Sequence, residues 1–506
     1  MAEALTQAFA QTVGDPRVWL IVVAAAAYGV FVGAVPGLTA TMAVALFIPI
    51  AYWLEPVPAL AAVVTMVACA IFAGDIPNAL LRIPGTPASA AYADDAYGFT
   101  KRGLPERPLG ICLTFSVAGG LFGAVVLMVL GHQLARVATM FSVTEYFWLY
   151  LLGLTCAVAV SRGSTLKATF ALLLGLLLST VGLSAAHAQA RFTFGRPELF
   201  QGITFIPAMI GLFGFSEILR NMLTLDDAKP EAPQTARGGF TAVAAPALTL
   251  LRGQKLAFLR SGGIGALVGM LPGAGADIAA WVSLAAARRT GRQPGNEDDR
   301  ALSGIGNAST ANSAALAATW IPALVFGIPG DSVTAIVIGV LLMKNVRPGP
   351  EIFEQQTALV YSIYLLFILA NLVLIPVGLL AIKAGGYVVR VPRRILLPII
   401  LLFCIVGAYA INSSYFDIAV MLAMGLLGFL LERRKIPLGP VVLGIILGGP
   451  LEERFVQALS AYDNVFSALF GRPLAAGLGI LCLAIWAALV AVNLRGSGSA
   501  PASPRE

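Results

Sequence analysis

The chain has 506 residues, of which 58% are hydrophobic and only 12% charged, with a net charge of +7. A soluble globular domain carries about a quarter charged residues, so this composition excludes one. The positive excess comes mostly from loop Lys and Arg, which fits basic loops held on the cytoplasmic side of a membrane rather than nucleic-acid binding.

Taken in order, apolar stretches close to the spanning length of about 20 residues recur along the chain. They are Val18–Val35, Leu109–Leu130, Leu166–Leu183 and Ala358–Ile382, with a pair at Ile395–Ile411 and Phe416–Leu431. No basic region precedes an apolar core at the N-terminus, so no cleaved signal peptide is expected. The fold class expected is an all-α polytopic membrane protein with about 10–14 transmembrane segments. Helical spans of this kind exclude a β-barrel.

Two stretches echo each other. Gly29-x-x-x-Gly33 runs into Pro36-Gly37, and Gly265-x-x-x-Gly269 runs into Pro272-Gly273. Downstream, Ile76-Pro77 and Ile83-Pro84-Gly85 are matched at the same spacing by Ile321-Pro322 and Ile328-Pro329-Gly330. Apolar helices broken by Pro-Gly at corresponding places in two halves point to a transporter site. Asp75–Asp95 is too rich in Pro, Gly and polar residues to span lipid as a regular helix, so it is read as a re-entrant hairpin. The expected organisation is an N-terminal segment 1–17, a first repeat 18–223, a polar linker 224–254, a second repeat 255–436 and a C-terminal part 437–506. Within that last part, Pro450–Asn464 places Leu451, Phe455 and Leu459 on one face, as in an interfacial helix. The loop at Glu55 lacks Lys and Arg whereas its counterpart carries Arg288, Arg289 and Arg292, so the repeats are read as inverted.

A Pro-Gly break ends one helix and starts the next with unpaired N–H groups and a positive dipole end, which suits an anion. The candidate substrate site therefore comprises Pro36, Gly37, Pro84, Gly85, Pro272, Gly273, Gly275, Pro329 and Gly330. Neighbouring hydroxyls and amides join it: Thr39, Thr41, Thr86, Ser89, Asn312, Ser313, Ser332 and Thr334. Taken singly, such small polar residues also serve interhelical packing. Charges inside the apolar zone are costly, which marks Asp75, Arg82, Asp95, Asp277 and Asp331 as coupling-ion or charge-pair candidates. Arg82 is expected to pair with Asp75, Asp277 or Asp331. The five cysteines stand singly without Cys-x-x-Cys, and His132 and His187 are isolated, so no metal site and no cofactor are expected.

At these residues the chain resembles the large membrane subunit of the tripartite tricarboxylate transporters. The resemblance rests on Gly33-Ala-Val-Pro-Gly-Leu38, Ile83-Pro-Gly85 with Asp95 through Lys101-Arg-Gly103, and Arg191-Phe-Thr-Phe-Gly195. It continues through Gly202-Ile-Thr-Phe-Ile-Pro207, Leu271-Pro-Gly-Ala-Gly275, Gly327-Ile-Pro-Gly330 and Arg347-Pro-Gly-Pro350. Gly449-Pro-Leu-Glu-Glu453 and Arg472-Pro473 complete it. The resemblance implies a bacterial inner-membrane secondary importer of organic carboxylates, driven by Na⁺ or H⁺. Its implied partners are a small four-helix membrane subunit and a periplasmic solute-binding protein. The chain departs from the family pattern at Arg82, where Asn is usual, at Asp331 in place of a small residue, and at Asp277 in place of an uncharged one. Ser309-Thr-Ala-Asn312-Ser313 stands where the family has Glu-Ala-Ala-Asn-Asn, and Ser184-Ala185 replaces an Asp-Pro turn. A stand-alone organic-anion carrier is the alternative reading. An intramembrane aspartyl hydrolase is a remote one, because Phe72-Ala-Gly-Asp75 and Ile328-Pro-Gly-Asp331 both miss the Gly-x-Gly-Asp pattern.

Overall fold

The computed structural model describes residues 2–161, 164–184, 189–223, 240–289, 297–388, 393–462 and 464–496. They are helical apart from loops, turns and one short antiparallel pair, Gly182–Leu183 with Ala190–Arg191. Among the described residues eight helices are long and apolar enough to cross a membrane, the longest being Glu106–Ala138 with 33 residues. Four shorter apolar helices accompany them: Ala40–Trp53, Thr165–Ser179, Val243–Gly253 and Ser332–Met343. Large apolar side chains point outward along many of these helices, among them Leu20, Leu256 and Leu380. In water such a surface would aggregate; against lipid tails it costs nothing. This is a polytopic helical membrane protein.

Packing divides the chain into two compact units, Met1–Ala138 with Thr204–Leu430, and Thr139–Ile203 with Leu431–Glu506. In the first unit, helix Pro16–Ala34 starts on Asp15, which accepts from the Arg17 N–H, with Pro16 at the first turn. It lies on Pro56–Ala73 through Gly29 and Gly33, whose α-carbons sit against the carbonyls of Met66 and Ala70. Helix Lys255–Gly269 lies on Glu297–Ala318 in the same manner, with Gly265 and Gly269 against the carbonyls of Ala311 and Ala315. Small residues four apart allow this backbone contact, which drives helix association where lipid supplies no hydrophobic force.

The second unit holds Val143–Val160, Thr165–Ser179, Leu438–Ser460, Val465–Phe470 and Pro473–Gly496. Glu145 is fully buried there, yet it caps its own helix through the Ser142 N–H and pairs with Arg472 at 2.9 Å. Arg191 meets Glu452 in a bidentate pair at 2.9 and 2.8 Å.

Several expectations change. The segment beginning at Pro450 is no separate interfacial helix: Leu438–Ser460 is continuous, with Pro450 inside it. Proline forfeits one hydrogen bond there without ending the helix, and the Phe455 ring meets that of Phe147 at a tilt, centroids 5.3 Å apart. The apolar stretch Leu166–Leu183 yields a helix only to Ser179, because Gly182 takes φ +115° to enter the short strand. Of the linker expected at 224–254, residues 224–239 lie outside the described residues, and Phe240–Gly253 is a helix packed on Glu106–Ala138.

Candidate functional site

The candidate residues all lie in the first unit. Helix Pro56–Ala73 breaks at Gly74, and a seven-residue helix, Asp75–Leu81, follows. Arg82 ends it in the left-handed conformation, φ 59°, with its N–H on Asn78 O and the Ile83 N–H on Pro77 O. The chain turns through Ile83-Pro84-Gly85, and Gly85 N–H returns to Gly74 O at 3.2 Å. A Cβ on Gly85 would lie 2.5 Å from the Gly74 Cα, so this close approach requires glycine. Thr86 and Ser89 close the tip reciprocally, each backbone N–H donating to the other's hydroxyl at 3.2 and 3.1 Å. Asn78 Nδ2, fully buried, donates to Ser89 O at 2.9 Å. The return path is the short turn Ser89–Tyr92 and helix Ala93–Lys101.

The second hairpin follows the same backbone plan. Glu297–Ala318 breaks at Thr319, the seven-residue helix Trp320–Phe326 follows, and Gly327 ends it left-handed at φ 68°. Gly327 N–H bonds Ala323 O and Ile328 N–H bonds Pro322 O, both at 3.1 Å. Here the return is a full helix, Ser332–Met343, capped by Asp331. The Asp331 carboxylate accepts from the Thr334 N–H and hydroxyl, both at 2.7 Å.

These pieces meet. Gly273 N–H donates to Gly330 O at 2.9 Å, joining the second Pro-Gly break to the second hairpin. From helix Gly275–Arg289, Asp277 Oδ1 accepts the Ala88 N–H at 3.1 Å, and Trp281 Nε1 donates to Pro87 O at 3.0 Å. Residues four apart share a helix face, so Asp277 and Trp281 clamp the tip of the first hairpin. Arg288 on the same helix pairs with Asp95 at 3.1 Å. Beside Asp331 lies a water-sized cavity of about 20 Å³ into which Ser313, Thr319, Thr334 and Asn371 also face. Asn312 is buried, and its Oδ1 has no hydrogen-bond partner.

The first break sits differently. Gly37, φ 90°, offers its carbonyl to Asn221 Nδ2 at 2.9 Å, and Thr39 caps helix Ala40–Trp53 through the Met42 N–H. That helix packs on Ser332–Met343, and Lys344 at the end of the latter donates to Tyr52 O. Pro36–Thr41 thus reaches the rest through helix contacts.

The expected pairing of Arg82 does not form. Arg82 pairs with Asp94 at 2.5 Å, and both side chains are exposed, at 58% and 76%. The left-handed turn at the tip carries the guanidinium outward, so desolvation never forces it onto a buried aspartate. Asp75 instead accepts the Tyr92 hydroxyl at 2.6 Å. Sequence reasoning missed Tyr92, Trp281, Asn221 and Asn371. Asn371 carried a signal, being a lone amide within the apolar Ala358–Ile382 stretch; Trp281 carried a weaker one, four residues after Asp277.

A sequence profile described as "Tripartite tricarboxylate transporter TctA family" matches residues 19–443. The chain belongs to the TctA family. An Agrobacterium vitis protein described as an uncharacterized 52.8 kDa protein of the TAR-I ttuC' 3' region is 32% identical over 465 residues, covering 90% of each chain. A second A. vitis protein, from the TAR-II ttuC' 3' region, is 32% identical over 222 residues, 43% of this chain and 92% of its own length. No solved structure matches. As a TctA member the chain is the membrane component of a tripartite tricarboxylate transporter, a transport protein and not an enzyme. Ser309, where the resemblance implies Glu, lies beside Tyr92 and Cys112.

Proposed function

We propose that this TctA-family chain is the substrate-translocating subunit of a binding-protein-dependent importer of organic carboxylates, driven by a Na⁺ or H⁺ gradient in a bacterial inner membrane. Its partners are a small four-helix membrane subunit and a periplasmic solute-binding protein. The observation that carries the reading is the meeting of the two Ile-Pro-Gly turns with the second Pro-Gly break, through Ala88 to Asp277 and Gly273 to Gly330. Irregular backbone at membrane depth is stable only when shielded by protein or lining a wet cavity, and transporters place substrate at such breaks. Two inverted repeats within about 10–14 spans give this arrangement its origin. The matching seven-residue helices, left-handed caps and Gly-on-carbonyl contacts in the two halves support that reading.

The hairpins and broken helices move as one shielded body in an elevator-like shift, keeping their hydrogen bonds satisfied. The deciding experiment is uptake in proteoliposomes carrying all three components, with candidate carboxylates and imposed Na⁺ or proton gradients. Accumulation of at least one acid supports the reading; none under either gradient overturns it. In a background without native cysteines, Ser89→Cys or Ser313→Cys should change its reactivity towards an impermeant thiol reagent when substrate and coupling ion are added. Constant labelling from both sides during verified transport would rule out alternating access at these hairpins.

A further inference from the structure

The charges of the first hairpin fall into two groups. Asp94 and Asp95 are satisfied by Arg82 and Arg288, whereas Asp75 is 4% exposed and sits directly after the Gly74 hinge. It accepts a hydrogen bond from the hydroxyl of Tyr92, a residue 2% exposed, and Cys112, 1% exposed, lies beside it. Ser309, 1% exposed, stands next to both.

The elements packed on helix Asp75–Leu81 turn no charge towards this carboxyl among the described residues. On Ala93–Lys101, Lys101 lies over the Tyr97 ring. On Glu106–Ala138 the titratable group facing Asp75 is Cys112. On Thr357–Val388, Gly385 meets Ile76, and Lys383 is exposed. On Pro56–Ala73, Cys69 is buried among apolar residues, and on Pro16–Ala34, Tyr28 points towards Ala43 O.

A carboxylate buried in apolar surroundings loses most of its hydration, and one or two neutral donors return only part of that loss. The remaining route to a stable buried state is uptake of a proton. One carboxyl beside one phenol and one thiol falls well short of the six or more oxygens that a hard metal ion gathers, so the surroundings suit a proton better.

We propose that Asp75 is a proton-binding site of the coupling step: its carboxylate takes up one proton as the first hairpin packs against Tyr92 and Cys112, and releases it when the hairpin opens to water. This rests on the transport reading above and names its coupling ion. The link to the substrate site is covalent and short. Asp75 follows the hinge whose carbonyl holds Gly85, Tyr92 ends the turn that begins at Ser89, and Asn78 ties the two strands of the hairpin together. Loss of the proton places a charge under the tip that presents Thr86 and Ser89, so charge and tip geometry change together.

The test uses the full chain in lipid vesicles and infrared difference spectroscopy. Near neutral pH the folded wild type should show the C=O stretch of a protonated carboxylic acid, shifted in D₂O and lost in Asp75→Asn. Tyr92→Phe should retain that band and move it to higher frequency, because one hydrogen bond to the carboxyl is gone. Thermal melting of each variant reports folding independently. Absence of the band in folded wild type, or its persistence in Asp75→Asn, overturns the proton site. In vesicles with the partner subunits, using a carboxylate first shown to bind the solute-binding protein, Asp75→Asn should lower proton-driven accumulation more than tenfold. Sodium-driven uptake unaffected by Asp75→Asn would overturn the coupling role even with the band present. If the wild type accumulates no carboxylate at all, the transport reading fails, and the infrared band still decides whether Asp75 holds a proton.

Discussion

The two hairpins share a backbone and differ in what they present at the tip. Both run from a helix break through a seven-residue helix to a left-handed residue and Ile-Pro-Gly. The first then closes on neutral hydroxyls, Thr86 and Ser89, and borrows a carboxylate from Asp277 to satisfy Ala88. The second carries its own carboxylate, Asp331, spent on the first turn of Ser332–Met343. A helix N-terminus favours an anion, and here the protein supplies one at each place. The lesson is that the backbone plan is set by Pro and Gly, whereas the chemistry of each tip is set by one or two residues beside them.

The comparison breaks most severely at the helix contacts that hold the hairpins. A Cβ on Gly29 or Gly265 would overlap the carbonyl of Met66 or Ala311 in the same way. Gly29→Ala and Gly265→Ala should each destabilise by about 1–3 kcal/mol, the usual cost of overpacking. Thermal melting in detergent measures this. Equal losses support equivalent halves; a tolerated Gly265→Ala beside a damaging Gly29→Ala would refute that equivalence.

Next in size is the cap. Asp331→Ala removes the acceptor for the Thr334 N–H and should cost about 0.5–2 kcal/mol. Asp331→Asn keeps an acceptor and should recover most of that stability. Uptake then separates the two roles. If the charge binds a coupling ion, Asn fails in transport as Ala does; if the residue serves only as a cap, Asn transports normally.

How much of this was legible follows from the range of each signal. Pro and Gly act on their own backbone, so the breaks at Gly37, Gly85, Gly273 and Gly330 could be read locally. The cap at Asp331 was also local, an Asp three residues before Thr334, although a charge in an apolar zone equally fits a functional role. Pairings were not legible. Whether Arg82 reaches a buried aspartate depends on where the left-handed turn points its side chain, and Tyr92 finds Asp75 only after the hairpin has folded back. The partition into two units, in which Thr139–Ile203 joins Leu431–Glu506, likewise depends on contacts far apart in sequence.

The smallest effect concerns the left-handed cap itself, where the first hairpin has Arg82 and the second Gly327. A side chain in this conformation costs about 1–2 kcal/mol relative to glycine. Against that, glycine loses more conformational entropy on folding, and Arg82 makes an ion pair with Asp94 that is too exposed to contribute more than about 0–1 kcal/mol. The terms nearly cancel, so Arg82→Gly should leave the melting temperature almost unchanged. The reverse exchange, Gly327→Arg, adds the strain without a partner; its Cβ would meet only Pro348 at 3.8 Å, which is ordinary contact. It should therefore lose about 1 kcal/mol. Melting of both single variants and of the double exchange measures the difference. A large loss from Arg82→Gly alone would mean that the guanidinium does more at the tip than pair with Asp94, and would make Arg82 a candidate for substrate contact.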